Sequence, residues 1–151
     1  MKFEITRDQE FIKYCLTHPY VWKTRGDDLL NADPSLFFPI MKDVVYAKAG
    51  EFGLLIGIKF IEKELDVHVA LLPQARGISF DICIQAIKWI FETMEEINSL
   101  TALIPSTNVL AIRLSEKVGM KFVCNKEKSF LKNGVYVDQY LYKINREDIK
   151  C

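Results

Sequence analysis

The sequence lacks an excess of either charge: 20 Lys and Arg face 20 Asp and Glu in 151 residues. Without a basic surplus there is no long-range attraction toward polyanions. No nucleic-acid partner and no membrane partner is therefore expected. The four cysteines, at 15, 83, 124 and 151, form no CxxC pair, and with the histidines they make no zinc-like spacing. No metal is expected, and the cysteines read as free thiols of a reducing compartment. No run approaches the ~18 apolar residues of a spanning helix. The start, "MKFEITRDQE", has no apolar signal core. The expectation is a cytoplasmic protein. Internal repeats and low-complexity tracts are also missing.

What is present is apolar residue: half of the chain is hydrophobic, enough for the core of one domain spanning 1–151. "KFEIT" alternates like a strand. Asp8 is placed to cap a helix over "QEFIKYCLT", and His18-Pro19 to end it. From Val21 to Met41 the pattern is irregular, and Trp22, Leu29, Leu30, Phe37 and Phe38 suggest a short helix and a covering loop. "VVYAKAG" and "FGLLIGIKFIE" read as a hairpin about Gly50-Glu51-Phe52-Gly53, with "LDVHVALLP" as a third strand. Helical spacing then runs from Ser79 or Phe80 to about Glu96, through Ile82, Cys83, Ala86, Ile87, Ile90 and Phe91. "SLTALIP" is a strand, and "NVLAIRLSEKVGM" a helix with Asn108 at its start and Gly119 at its stop. Two strands about Asn133-Gly134 close the chain. The order βα(α)βββαβαββ means a mixed α/β sheet, partly antiparallel and partly parallel.

Two segments carry a family resemblance. "ALLPQARGIS", between a strand and a long helix, resembles an acyl-CoA pyrophosphate loop. "NVLAIRLSEKVGMKF" resembles the Asn-x-x-Ala-x-x-Leu-x-x-x-x-Gly-(Phe/Met) segment of the Gcn5-related N-acetyltransferases (GNAT). With the closing hairpin "SFLKNGVYVDQYLYKI", the likeness covers nearly the whole chain. "DVHVALLP" and "IKWIFE" are similar to a subgroup met in bacteriophage genomes. The resemblance implies the GNAT fold: a mixed, mostly antiparallel sheet of about six to seven strands with about four helices. It also implies acetyl-CoA as cosubstrate and an amine, small-molecule or protein, as acceptor. A homodimer is left open.

The same resemblance assigns residues. Arg76, Gly77, Ile78, Ser79 and Phe80 would meet the pyrophosphate at a helix start. Ala70, Leu71 and Leu72 would offer strand backbone to the pantetheine arm, and an N–H near Leu71 or Leu72 would serve as oxyanion donor. Asn108 and Ala111 would join the cofactor site from the neighbouring helix start, Asn108 near the pantetheine or as the cap. Two departures stand out in the loop: Ser79 replaces a glycine, and Asp81 replaces a small residue. Ser115 occupies the position at which many relatives carry a Tyr that protonates the leaving thiolate, so that role is vacant or moved.

For the base, Asp66 and His68 lie two apart on one strand face, with Glu64 beyond them. His68 suits general-base chemistry, with Asp66 or Glu64 orienting or replacing it. The ordinary alternative is a half-exposed polar strand face. Tyr136, Tyr140 and Tyr142 share a face as packed aromatics, or one of them supplies the missing acid. "PSLFFPI" reads as core packing, or as a lining of the acceptor site. The competing whole-chain readings are a GNAT-fold binding or phage-assembly protein without catalysis, and an unrelated mixed α/β domain.

Overall fold

An aspartate opens the first helix and a proline closes it. The computed structural model describes residues 1–24 and 33–149; Leu29, Leu30 and Cys151, singled out above, lie outside the described residues. Strand β1 (Phe3–Ile5) leads to α1 (Gln9–Thr17), where the Asp8 carboxylate accepts the Phe11 N–H at 3.2 Å. Pro19 cannot continue α1 and begins the one-turn α2 (Pro19–Trp22) instead. Strands β2 (Val44–Ala49), β3 (Gly53–Ile58) and β4 (Glu64–Leu71) form the expected meander. At its turn Gly50 and Gly53 have φ of 54° and 142°, and a Cβ on Gly53 would collide with the Ala70 carbonyl.

Helix α3 (Ser79–Thr93) stops short of the expected Glu96. The reason is Arg146, whose guanidinium gathers the carbonyls of Phe91 at 2.6 Å and Met94 at 2.8 Å, along with that of Ile97. Strand β5 (Ser99–Pro105) and α4 (Val109–Lys117) follow. Helix α4 ends when Gly119 takes φ of 99°; its N–H then bonds Glu116 O, and the Met120 N–H bonds Ser115 O. Strands β6 (Lys121–Lys132) and β7 (Val135–Asn145) turn at Asn133-Gly134, both with positive φ.

The seven strands lie in the order β1-β2-β3-β4-β5-β7-β6. Every neighbouring pair is antiparallel except β4 and β5. One face of the sheet packs against α3 and the apolar side of α4 through Leu65, Leu100, Ile104, Ile82 and Ile90. The other face packs against α1 and α2 through Leu54, Ile56, Ala70, Ile12 and Leu16. The "PSLFFPI" segment divides: Phe37 packs edge-on against Trp22, while Leu36, Phe38 and Ile40 are exposed. Core packing therefore accounts for Phe37 but not for its neighbours.

Candidate active site

The single parallel pair is short. Only Glu64, Leu65 and Asp66 align with Ser99, Leu100 and Thr101; beyond them the strands part. Register fixes which backbone groups the gap receives. Leu72 donates its N–H to Phe52 O at 2.8 Å, so Leu72, Ala70, His68 and Asp66 direct their peptide groups toward β3. By the same alternation Val69 and Leu71 direct theirs toward β5, into the gap. This corrects the expectation for Ala70 and Leu72, whose N–H groups already serve β3. The Leu72 carbonyl also accepts the Ala75 N–H at 2.9 Å. Of the three expected residues, Leu71 alone directs its peptide groups into the gap, and Val69 does the same.

The chain then runs through a turn at Pro73–Ala75 to α3. Gly77 has φ of 85°, a conformation that a side chain would strain although space is open around it. Ser79 begins the helix without positive φ, so it tolerates the place of a glycine. Its hydroxyl donates to Ala75 O at 3.3 Å. Ile78 stands at the N-cap and its side chain accepts nothing. Among the described residues the N–H groups of Gly77, Ser79, Phe80 and Asp81 have no acceptor. Asp81 is exposed and sits in the first turn, where its charge suits the helix. Two cations stand close by: Arg76 lies over the Tyr20 ring at 5.0 Å, and Lys117 of α4 lies over Phe80 at 4.3 Å. Neither Tyr20 nor Lys117 was legible as a neighbour, because both come from distant elements.

On the sheet face shared with α1, Asp66 and His68 meet. His68 Nε2 lies 2.7 Å from Asp66 Oδ2, and the Thr101 hydroxyl donates to Asp66 Oδ1 at 3.1 Å. The Asp66 side chain is 12% exposed and that of His68 40%. Glu64 is occupied elsewhere: it takes Lys143 Nζ at 2.8 Å and the Ser99 hydroxyl at 3.1 Å. The Lys143 contact, helped by Ser99, holds the Glu64 carboxyl below its ordinary range. A carboxylate held ionised in this way makes a poor base.

The acid has no candidate of equal quality. Asn108 caps α4, accepting the Ala111 N–H at 3.3 Å. Ser115 is half-buried in the last turn of that helix. Tyr142 is buried; burial and then the nearby Glu116 carboxylate push its phenol up. Tyr140 and Tyr142 each meet Phe122 edge-on at 5.9 Å, and Tyr136 is exposed. The packed aromatic reading fits Tyr140 and Tyr142. Burial pushes the Cys15 and Cys83 thiols up to about 11, which removes them as nucleophiles. Among the described residues no three His, Cys, Asp or Glu side chains group as metal ligands, and no helix is long and apolar enough to cross a membrane.

No family model matches the sequence, and no curated protein matches it. Solved structures do match in shape. A dodecameric spermidine N-acetyltransferase from Vibrio cholerae superposes with a TM-score of 0.72 at 15% identity, over 97% of this chain and 94% of that one. The Vibrio cholerae enzyme in complex with CoA and spermine gives 0.59 at 18% identity, over 69% and 65%. A probable acetyltransferase gives 0.61 at 15%, over 72% and 65%. At such identities the likeness is one of architecture: this chain has the GNAT fold of the N-acetyltransferases.

Proposed function

We propose that the protein transfers the acetyl group of acetyl-CoA to an amine, small-molecule or protein-borne. The observation that carries this reading is one arrangement. A row of open N–H donors at the start of α3, flanked by Arg76, adjoins a gap between parallel strands. Asp66 stands at the last aligned pair before that gap and His68 two residues further along β4, both on the sheet face shared with α1. A pyrophosphate suits the open helix start, and an amide-bearing arm suits the Val69 and Leu71 backbone. In the transfer the amine nitrogen bonds to the thioester carbon and the C–S bond breaks. His68 takes the ammonium proton, the Leu71 N–H faces the developing oxyanion, and the thiolate leaves to be protonated from solvent.

Support from the comparisons is indirect: shape neighbours include N-acetyltransferases, one of them in complex with CoA and spermine. A second reading, a GNAT-fold binding or phage-assembly protein without catalysis, is favoured by Ser115 at the position of the expected Tyr. Calorimetry with acetyl-CoA separates the two. Binding with turnover on an amine panel supports the transferase; binding without turnover favours the second reading, and no binding sinks the transferase. His68→Ala is expected to leave binding intact and lower turnover by roughly a hundredfold. Unchanged turnover removes His68 from the chemistry.

A further inference from the structure

Within the transferase reading, on which this inference rests, we infer that Thr101 is a positioning residue that fixes which nitrogen of His68 acts as the base. Thr101 lies on β5, across the seam from Asp66, at the last register pair before the strands part. Its hydroxyl donates to Asp66 Oδ1 at 3.1 Å, which turns the other oxygen, Oδ2, to His68 at 2.7 Å. A carboxylate accepts, so the His68 nitrogen facing it, Nε2, must carry the proton. The neutral ring then keeps its lone pair on Nδ1. Nδ1 makes no hydrogen bond to the described residues, and the side chain is partly open to solvent. The carboxylate is thus clamped between two strands, and the ring orientation follows from the clamp.

Alternative partners for the clamp are already engaged. Ser99, the other hydroxyl of β5 on this face, donates to Glu64, and Lys143 pairs with Glu64. Two separate networks therefore lie side by side, Ser99–Glu64–Lys143 and Thr101–Asp66–His68, and the second, through His68, extends past the last aligned pair of β4 and β5. Its role in transfer is to present Nδ1 to the incoming ammonium. The proton moves from the amine nitrogen to Nδ1 and then to solvent, while the Nε2–H bond to Asp66 stays in place.

The test uses two-bond nitrogen–proton spectra of the isotope-labelled full chain at a pH where the ring is neutral. The chain has two histidines, His18 and His68, and His68→Gln assigns the signals. Wild type is expected to show His68 as the single Nε2–H tautomer. Thr101→Val should mix in the Nδ1–H tautomer and lower kcat roughly tenfold, with KM for acetyl-CoA unchanged. Thr101→Ser, which keeps the hydroxyl, should restore both. A Thr101→Val spectrum identical to wild type overturns the inference, as does a shifted tautomer with kcat unchanged. If wild type turns over no amine, the transferase reading fails, and the spectrum decides the clamp independently.

Discussion

Two helices begin beside the β4–β5 gap, and they begin differently. The start of α4 is capped: Asn108 folds its side chain back and accepts the Ala111 N–H, which leaves only those of Val109 and Leu110 without an acceptor among the described residues. The start of α3 is open: an isoleucine stands at the cap, and the four N–H groups around it find no acceptor among the described residues. An uncapped helix start costs stability that a single Asp, Asn or Ser would recover, typically about 1 kcal/mol. Under the proposed function, the difference separates a helix end that serves the fold from one left for the pyrophosphate.

The contrast can be erased by design. Ile78→Asp makes α3 begin as α4 does, with a carboxylate over the donors. Calorimetry should show acetyl-CoA affinity lower by roughly a hundredfold, through lost N–H bonds and added repulsion. Ile78→Ala controls for the lost packing, and equal affinity in the Asp variant would refute the open-donor account. Arg76→Glu leaves the backbone donors alone and reverses the flanking charge; a loss of about tenfold in affinity is expected, shrinking as salt is raised. Asn108→Ala acts on the other side of the comparison. Thermal unfolding should report about 1 kcal/mol of lost stability, with acetyl-CoA affinity nearly unchanged. A large affinity loss there would mean that Asn108 touches the cofactor as well as the helix.

Much of the fold was legible because its punctuation is local. Asp8, Pro19, Gly119 and Asn133-Gly134 each act within a turn of where they stand, and the structure uses them where the pattern placed them. The end of α3 was not legible, since it is set by Arg146, some 50 residues further along the chain. The site shows the same divide. Gly77 and the Asp66–His68 pair follow from short spacing. That Leu71 rather than Ala70 or Leu72 faces the gap depends on a register fixed at the Gly53 turn. That Glu64 is lost to Lys143, and Asp66 held by Thr101, depends on strand order, which no local pattern encodes. Ser79 and Asp81 looked like obstacles in the loop pattern; one begins the helix and the other points outward.

The three-residue seam between β4 and β5 has a mechanical consequence. The sheet is two plates, β1 to β4 and β5 to β7, riveted together at one end. A molecule whose amides lay along Val69 and Leu71 would act as an inserted strand and lengthen the seam. Amide hydrogen exchange should register this on acetyl-CoA binding: the N–H groups of Val69 and Leu71 are expected to slow most, while those of Ala70 and Leu72, already tied to β3, change little. The cosubstrate would then be for a moment a piece of secondary structure, and its departure would return the protein to two plates on one rivet.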